Sequence, residues 1–480
     1  MKQRWLPLAV AFGLSGCSLA PTYHTPSVET APHYSEDSHW VMAQTALPDH
    51  DWWTLFGDTR LNRLERLAMQ ANQNISGTMA RVDEARALAR ATEANLYPVI
   101  TAGAQHSVNR MSDGKPLFPA SVPRYYRDNV VGLDLSYEVD LWCRLRNAAH
   151  AQSALAEASA DDLAGAELSI QAELASDYFS LRGTDAELAL LRQLLADWQD
   201  NRRMTREMYD RGNANQTDLA QADYSLQNQQ TQLADLQLAR DQLEHAIALL
   251  CGQPSSSFHI AADATPQWAP ATVPHPAAGL PSTLLQRRPD IASAERSVAA
   301  ANAEIGVARA AFFPVFSLDA AAGFENVNAA NLFTSPNRYW SFGPGASAIL
   351  FNGGQLSALD DQAHAAWREA VANYRNAVLT AWRDVENGLA SMHRLDSEAE
   401  STNGARRAAD NALQQMQDRY AAGTASALDV LSARRQDVEA RLAATGVHMR
   451  QLSASILLIK ALGGGWQSPH PSAPAPRKTS

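Results

Sequence analysis

The sequence has little cysteine, no cluster of basic residues and no long apolar run after Leu14. Each of these absences excludes some classes of protein. Cysteine occurs at only 3 of 480 positions. We expect Cys143 and Cys251 to be free thiols, because the helix pattern described below places them at different heights. The formal net charge of -11 argues against a nucleic-acid partner, since phosphate binding needs clustered Lys and Arg. After Leu14, no stretch approaches the roughly 18 uninterrupted apolar residues of a transmembrane helix, so any membrane crossing must use strands.

Motifs that carry catalysis are also missing. The chain has no P-loop, no HExxH, no GxSxG and no cysteine pair with zinc spacing, and its histidines are scattered. Gly343-Pro-Gly345 begins a dinucleotide fingerprint, but no helix is expected directly after it. We therefore predict no enzyme, no catalytic or metal-binding residue and no bound cofactor. An enzyme tethered to a membrane gains little support.

The N-terminus has the charged, apolar and small-residue zones of an export signal. Leu14-Ser15-Gly16-Cys17 follows the apolar run and resembles the bacterial lipobox, whose cysteine is acylated and becomes the first mature residue. We predict a signal peptide over 1–16 and a diacylglyceryl and N-acyl lipid (palmitate) on Cys17. Ser18, where an aspartate would favour the inner membrane, favours outer-membrane delivery. An ordinary signal peptide with a chance cysteine is the alternative.

The mature chain is a duplication, with the second copy about 211 residues after the first. Three matched segments at this offset are Tyr209–Gly212 with Tyr420–Gly423, Thr217–Leu219 with Leu428–Val430, and Leu250–Gly252 with Ala461–Gly463. We predict a tether anchored through the lipid over 17–58, a first repeat over 59–252, an equatorial Pro-rich linker over 253–282, a second repeat over 283–465 and a flexible tail over 466–480.

Each repeat contains alternating segments of the kind that form strands. In the segment 131–141, Leu133, Leu135 and Tyr137 alternate with polar or acidic residues such as Asp134 and Glu138. A barrel strand between lipid and a wet lumen requires this pattern, although a half-buried soluble sheet shows it as well. Two strands per repeat give four per chain.

Long helices follow the strands. The stretches 144–211 and 355–422 each run for about 68 residues without proline, so each could form a helix of roughly 100 Å. Gly212 and Gly423 then mark turns, and shorter helices with heptad spacing return, as in Leu219, Ala222 and Leu226. Arg240, Gln229, Arg435 and Thr445 interrupt the two heptad seams, where they either set the register or face a lumen. Helical patterning also runs from about Arg60 to Leu96.

Four strands are too few to close a barrel, and an open edge cannot lie in lipid. The chain must therefore associate with itself: two copies would supply eight strands and three copies twelve.

At this point the chain resembles the outer-membrane efflux factors of the TolC type, in their lipid-anchored branch. The matching segments cover nearly the whole mature chain: Trp52–Asp58, Leu284–Ile291, Ala300–Arg309, Phe351–Gly354, Tyr420–Leu431 and Leu462–Trp466. The resemblance implies a mixed α and β membrane protein, a homotrimer with a 12-strand β-barrel and a 12-helix α-barrel. It also implies a periplasmic adaptor protein and an inner-membrane efflux pump as partners, and the export of drugs or other small toxic compounds, as in antibiotic resistance.

By the same resemblance, Asp429 occupies the position of an aspartate that rings the narrow periplasmic end. Tyr420 occupies that of a tyrosine linking the helix pairs, with Thr217 and Asp218 at its partner positions. The chain departs from the pattern at Ala425 and Ser432, where the family has an arginine and a second ring aspartate, so we expect a differently held closed state.

Several of these residues also have a structural interpretation. Ser426-x-x-Asp429 and Asn215-x-x-Asp218 both read as helix capping boxes. Gly353 and Gly354 follow a strand expected at Leu350-Phe351 and are expected to form its kink into the next helix.

Two functions thus remain open from sequence: an outer-membrane exit duct with a gated periplasmic tip, and a coiled-coil lipoprotein that acts as a spacer or adhesin without a pore. The second leaves the acidic alternating strands unexplained. The cargo and the class of the inner-membrane pump are not disclosed.

Overall fold

The computed structural model describes residues 18–29, 33–35, 48, 51–112, 114, 123–262, 273–277 and 281–468. The chain forms two compact units. The strand unit comprises the chain up to Pro26, Val82–Ser159 and Ala294–Tyr374, and the helical unit comprises Ser27–Arg81, Ala160–Ser293 and the chain from Arg375 onward. Each unit therefore combines segments of both sequence repeats.

The helices follow the predicted lengths. They are α1 (Thr59–Ala71), α2 (Gln73–Glu93), α3 (Arg144–Asp210), α4 (Gln216–Leu250), α5 (Leu284–Arg287), α6 (Pro289–Ala310), α7 (Gln355–Ala421) and α8 (Ala427–Ala461). The long helices α3 and α7 have 67 residues each, and the returning helices α4 and α8 have 35 each. The returning helices are about half as long as α3 and α7, which confirms the prediction of shorter returning helices.

The helix expected from about Arg60 to Leu96 is divided at Asn72. The side-chain oxygen of Asn72 accepts hydrogen bonds from the backbone N–H groups of Asn74 (2.9 Å) and Ile75 (3.1 Å), which caps the start of α2. Its amide nitrogen donates to the carbonyl of Leu250 at 2.8 Å, at the end of α4. The prediction of one continuous helix was wrong because this single side chain caps two helices.

The strands form one antiparallel sheet in the order β1-β2-β3-β4. Their bounds are β1 (Val99–Arg110), β2 (Tyr125–Val139), β3 (Val315–Asn326) and β4 (Arg338–Ser347). The strand expected at Leu350-Phe351 is not formed, since the pairing ends where Val315, the first residue of β3, meets Ser347. For the same reason β2 stops at Val139, short of the predicted Leu141.

An aromatic cluster at the start of the helical unit packs against α3. Trp52, Trp53 and Phe56 are buried, and the Trp52 indole N–H donates to the side chain of Gln171 at 3.0 Å. Phe56 packs against Phe179 with ring centroids 5.0 Å apart. These aromatic residues therefore pack the segment 52–56 onto α3.

The predicted heptad positions of α4 are all buried or half-buried. In α8 two predicted heptad positions, Leu428 and Arg435, are exposed instead. Both lie in the first turns of α8, which are less covered by other helices than the turns beyond Val447. One 18-residue window of α8 has a mean hydropathy of 1.2 with 44% of it buried inside the protein. Buried core helices have this composition, and α8 packs in two core clusters of the helical unit.

Two described points of the Pro-rich segment 253–282 are held by matching positions of the two helix pairs. Arg240 binds Asp185 and Glu244 at 2.7 Å each and donates to the carbonyl of Ile260 at 2.7 Å. At the equivalent positions of the second repeat, Gln451 donates to Asp396 at 2.8 Å and Ser455 donates to the carbonyl of Pro274 at 2.6 Å. Arg240 is thus buried in a polar network that holds the linker, and it does not face a lumen.

Candidate functional site

The sheet has one apolar and one polar face, as the alternating sequence predicts. Leu133 and Ile100 lie on the same face as Trp340 and Phe342 of β4, and all four are exposed. On the opposite face, Asp319 accepts hydrogen bonds from the hydroxyls of two serines, Ser136 (3.0 Å) and Ser317 (2.9 Å). An apolar face without a covering layer and a polar face opposite suit a sheet between lipid and water.

The two edge strands come from different repeats. β1, from the first repeat, and β4, from the second, each pair on one side only, while β2 and β3 join the repeats across the middle of the sheet. Within the described residues, the outer edges of β1 and β4 have no partner strand. Unpaired edges cannot be placed in lipid, so the sheet of one chain is incomplete as a membrane structure.

The turns between the long and returning helices are alike in both repeats. Gly212 and Gly423 adopt φ of 76° and 73°, and their N–H groups each donate at 2.9 Å to the carbonyls of Tyr209 and Tyr420. Each turn is followed by a capping box, in which Asn215 and Asp218, or Ser426 and Asp429, exchange hydrogen bonds. Both aspartates therefore have a structural role as helix caps.

Asp429 is fully exposed in the single chain, and its carboxylate oxygen accepts from the backbone N–H and the hydroxyl of Ser426, at 2.8 Å each. These hydrogen bonds, together with the charge of Arg419, hold the pKa of Asp429 below its usual value. The contribution of the charged cap to stability is therefore present above the usual carboxyl range and is lost as the pH falls through the lowered pKa.

The structure does not bring the other predicted tip residues into contact. Thr217 and Asp218 are exposed, and the side chain of Tyr420 is 51% exposed. Within the part of the chain that the structure describes, no hydrogen bond joins Tyr420 to either residue. Their role in linking the helix pairs stays a prediction.

An ion pair that sequence reasoning missed joins the repeats near this end. Arg434 of α8 donates to Asp197 of α3 at 2.6 Å. Burial raises the pKa of Asp197, and the charge of Arg434 acts in the opposite direction. Beside this pair, Leu190 and Leu194 of α3 form a buried cluster with Val438 of α8. The partners lie 237 positions apart, so no local pattern could have revealed the pair.

Each repeat turns from strand to long helix through a residue with positive φ. Gly353 and Gly354 have φ of 65° and 90°, and Cys143, at the position that matches Gly354, has φ of 58°. Cys143 and Cys251 are both buried, and no disulfide joins them, as the sequence predicts. Within the described residues, no group of three or more His, Cys, Asp or Glu side chains could hold a metal ion.

Residues 18–23 are held against α6 and the start of α3 within the strand unit. Cys17 itself lies outside the described residues, but the hydroxyl of Ser18 donates to Asn147 at 2.9 Å. Asn302 donates to the carbonyl of Pro21 at 2.8 Å, and the hydroxyl of Tyr23 donates to the carboxylate of Glu295. These contacts place the residue next to Cys17 beside the first turn of α3, just after β2 ends.

A glycine in α6 makes this close approach possible, and a substitution there tests it. A Cβ atom on Gly306 would lie 2.7 Å from the Cβ of Ala20. We expect Gly306→Ala to displace the segment 18–21 and to increase its cleavage by added protease severalfold, because a displaced segment loses its hydrogen bonds.

The matched control is Gly404→Ala in α7, where a Cβ atom meets nothing within 4 Å. This control is expected to leave cleavage of the segment 18–21 unchanged. Equal cleavage of the two variants would show that the placement of this segment does not depend on the Gly306 contact.

A sheet with one exposed apolar face, joined to long paired helices, indicates a membrane channel built from both strands and helices. The family model described as "Outer membrane efflux protein" matches residues 64–253 and 280–464. The chain belongs to this family, which confirms the resemblance noted in the sequence.

Curated relatives match over nearly the full length. The pyoverdine export outer membrane protein OpmQ of Pseudomonas putida is 32% identical over 470 residues, which cover 97% of this chain and 98% of the relative. The toluene efflux pump outer membrane protein TtgC, from another strain of Pseudomonas putida, is 30% identical over 475 residues, with coverage of 97% and 96%.

Solved structures show the same fold. The outer-membrane channel OprN superposes with a TM-score of 0.83 at 29% identity, covering 94% of this chain and 100% of that chain. The Neisseria gonorrhoeae MtrE outer membrane channel, solved in its open state, superposes with a TM-score of 0.82 at 28% identity, with coverage of 94% and 99%. This chain is therefore an outer-membrane channel of an efflux system, as the sequence predicts.

Proposed function

We propose that the protein works as a homotrimeric, lipid-anchored exit duct with a gated periplasmic tip. The observation that carries the proposal is the four-stranded sheet, whose edges β1 and β4 are unpaired within the described residues. Three copies would join these edges into a closed barrel of twelve strands, which removes every open edge from the lipid. The lipid on Cys17 would then fasten the tether to the inner face of the outer membrane.

The first experiment combines mass determination with single-channel recording. The detergent-extracted, lipidated protein is expected to have the mass of three chains and to conduct ions across a planar lipid bilayer. A particle that neither conducts nor shows a central pore by electron microscopy would overturn the duct and favour the coiled-coil spacer or adhesin. A conducting dimer would retain the channel but overturn the trimer.

The proposed gate is a ring of three Asp429 side chains, one from each copy. Three carboxylates near one axis would repel one another and attract divalent cations. We expect Asp429→Ala to raise the concentration of Mg²⁺ that blocks half of the channel current about tenfold, because the ring loses its charge. Single-channel current measured against Mg²⁺ concentration tests this expectation.

Asp429 also caps α8, so the test needs variants that separate charge from capping. Asp429→Asn keeps a side-chain oxygen that can accept from Ser426 and removes the charge, and it is expected to weaken block as much as alanine does. Asp218→Ala removes the matching cap of α4 and is expected to keep normal block. Unchanged block in an intact Asp429→Asn trimer would refute the ring.

The partners and cargo of this channel follow from the same proposal. A periplasmic adaptor and an inner-membrane pump would complete the path, and the pump rather than the wide duct would select the cargo. Relatives are named for the export of pyoverdine and toluene, which supports small organic molecules as cargo. Loss of resistance to such compounds after deletion of the gene, restored by the intact gene, would test this part of the proposal.

A further inference from the structure

The charged residues of the four described strands are sorted between the two faces of the sheet. Alternate residues of a strand lie on one face, and directly opposed residues of paired strands share a face. The pairing therefore places every arginine of the strands on the apolar face and every carboxylate on the polar face. The arginines are Arg110, Arg127 and Arg338, and the carboxylates are Asp128, Asp134, Glu138, Asp319 and Glu325.

The three arginines also lie toward one end of the apolar face. The helices α2, α3, α6 and α7 all join the strands at the opposite end of the sheet. Arg110 is the last residue of β1, Arg338 is the first residue of β4, and Arg127 is the third residue of β2. Because the helices extend into the periplasm in the proposed duct, the arginines lie toward its extracellular end.

A row of polar side chains crosses the apolar face just below Arg127. The ring nitrogen Nδ1 of His106 lies 2.7 Å from the side-chain oxygen of Asn129, whose amide nitrogen donates to the carbonyl of Asn326 at 2.7 Å. On the helix side of this row, Val131–Val139 spans about 27 Å along β2, or about 21 Å across a membrane at a tilt of about 40°. The apolar band of a barrel is about 25 Å tall, so Arg127 lies beyond the hydrocarbon, at the level of the lipid headgroups.

The other two arginines reach the same level. Arg110 is a diagonal neighbour of Arg127 on the paired strand, about 7–8 Å away, and its guanidinium lies 5.5 Å from the centre of the Tyr125 ring. Arg338 starts one row lower, opposite Phe324. Its guanidinium donates to the hydroxyl of Ser335 at 2.6 Å, in the loop before β4, and so turns away from the hydrocarbon.

Arginines at the two ends of the sheet differ in their partners. At the helix end, Arg144 binds Glu138 at 2.6 Å and Arg146 binds Asp140 at 3.2 Å. At the outer end, Arg127 and Arg338 are exposed, and neither is joined to a carboxylate of the described residues. A cation at a membrane surface without a protein counter-charge attracts the anionic groups of lipids.

Aromatic side chains at the outer end favour a lipid over a free ion. Tyr125 and Phe333 are exposed there, and Phe333 packs on Phe324 of the apolar face with ring centroids 5.5 Å apart. Such side chains lie at the boundary between headgroups and acyl chains. The ligand of this surface therefore has both phosphate groups and acyl chains.

We propose that Arg110, Arg127 and Arg338 bind the phosphate groups of lipopolysaccharide, the phosphorylated glycolipid of the outer leaflet. A guanidinium group binds phosphate through two parallel hydrogen bonds. The site rests on the proposed duct, which turns the apolar face toward lipid and the arginine end outward. In the trimer β4 of one copy lies beside β1 of the next, so Arg338 and the pair of Arg110 and Arg127 offer two neighbouring positions for phosphate.

Lipid titration of the detergent-extracted trimer tests the site, with native mass spectrometry to count the bound lipids. The unsubstituted protein is expected to bind diphosphoryl lipid A about tenfold more tightly than monophosphoryl lipid A, because the second phosphate finds its own arginine. Replacing one of the three arginines with glutamine is expected to weaken binding of diphosphoryl lipid A about fivefold, and replacing all three about 100-fold. High salt should reduce these differences.

Two control variants separate the site from general charge. Arg81→Gln removes an exposed arginine of α2, and Glu325→Gln removes a carboxylate from the polar face beside Asn326. Both are expected to bind diphosphoryl lipid A as the unsubstituted protein does. Should the triple variant not assemble, Arg127→Gln serves by itself, because Arg127 is exposed and a glutamine there disturbs no ion pair among the described residues.

Three results would overturn the site: unchanged binding of diphosphoryl lipid A by assembled Arg127→Gln, equal weakening by Arg81→Gln, or displacement of the lipid by inorganic phosphate alone. Phosphatidylglycerol bound as tightly as diphosphoryl lipid A would overturn the choice of the outer-leaflet lipid. A conducting trimer that fails these tests loses the lipid site and keeps the duct. Arginine-dependent lipid binding by a particle that neither conducts nor shows a central pore keeps the site and overturns the duct.

Discussion

Gly463→Ala is expected to lower the thermal unfolding midpoint by at least about 3 °C, corresponding to a loss of at least about 3 kcal/mol. Gly463 ends α8 with φ of 92°, and a Cβ atom there would lie 1.8 Å from the backbone carbonyl oxygen of Arg287. A backbone carbonyl cannot move aside as a flexible side chain can, so α8 and the chain around α5 would have to separate. Circular dichroism of the purified protein during heating measures the midpoint.

Gly423→Ala is the matched control for this prediction. Gly423 has a similar φ of 73°, but a Cβ atom there meets nothing within 4 Å. Gly423→Ala should therefore lower the free energy of unfolding by only roughly 1 kcal/mol, the cost of placing alanine in the left-handed region. Equal losses in the two variants would mean that φ alone, and not the contact with Arg287, sets the need for glycine.

The first repeat contains the same arrangement, which extends the prediction to Gly252. The N–H groups of Gly252 and Gly463 both donate at 3.0 Å, to the carbonyls of Leu249 and Lys460, and the residue after each glycine donates to a carbonyl five positions back. This pattern is the Schellman motif. A Cβ atom on Gly252 would lie 2.1 Å from the carbonyl oxygen of Ala71, so Gly252→Ala is expected to lose as much stability as Gly463→Ala.

Glu65→Leu is expected to stabilise the protein at neutral pH and to remove a pH dependence. Glu65 is completely buried in α1, and neither carboxyl oxygen has a hydrogen-bond partner among the described residues. Burial raises the pKa of Glu65 to about 9, so the folded chain keeps it protonated. Buried Cys251 lies in a core cluster that also contains Leu61 and Ala68 of α1. Burial, followed by the charge of Glu65, raises the pKa of this thiol to about 12.

The sign of the effect follows from the two pKa values. Below about pH 4.5 both the folded and the unfolded chain hold the proton on Glu65. Between about pH 4.5 and pH 9 only the unfolded chain releases it, so stability falls as the pH rises toward 9. At about 1.4 kcal/mol per pH unit, this cost is roughly 3 kcal/mol by pH 7. Leucine removes it, and Glu65→Leu should unfold at a higher temperature whose value varies less between pH 5 and pH 8.5.

Glu84→Leu provides the control, since Glu84 is an exposed glutamate of α2. Its replacement should leave the pH dependence of the unfolding midpoint as it is in the unsubstituted protein. A Glu65→Leu variant that keeps the full pH dependence would place the titrating group elsewhere.

The two repeats have matching residues at the ends of their helices and different residues along the helix faces. The turn glycines, the capping boxes and the Schellman motifs recur at matching positions. In contrast, Gly183 is matched by Arg394 and Asp197 by Ala408. Local backbone geometry imposes the same residues on both repeats at the ends. Along the faces, packing against distant elements rather than local backbone geometry decides which residues fit, so matching positions differ.

Local patterns in the sequence were enough to predict most of the individual elements. The duplication, the long and short helices, the strands with one apolar face and the capping boxes of Asp218 and Asp429 could all be derived from periodicity and from residues a few positions apart. Hydrogen bonding and side-chain direction within a helix or strand repeat at fixed intervals, so they leave a signal along the chain.

Only the folded structure shows which distant residues come into contact. Arg434 of α8 pairs with Asp197 of α3, and the carbonyl of Arg287 approaches Gly463. Glu65 is buried by the surrounding helices. None of these features follows a fixed spacing along the sequence. The division of one expected helix at Asn72 likewise depends on the Leu250 carbonyl, 178 positions away. Such contacts arise from the packing of whole elements, which no short window of sequence records.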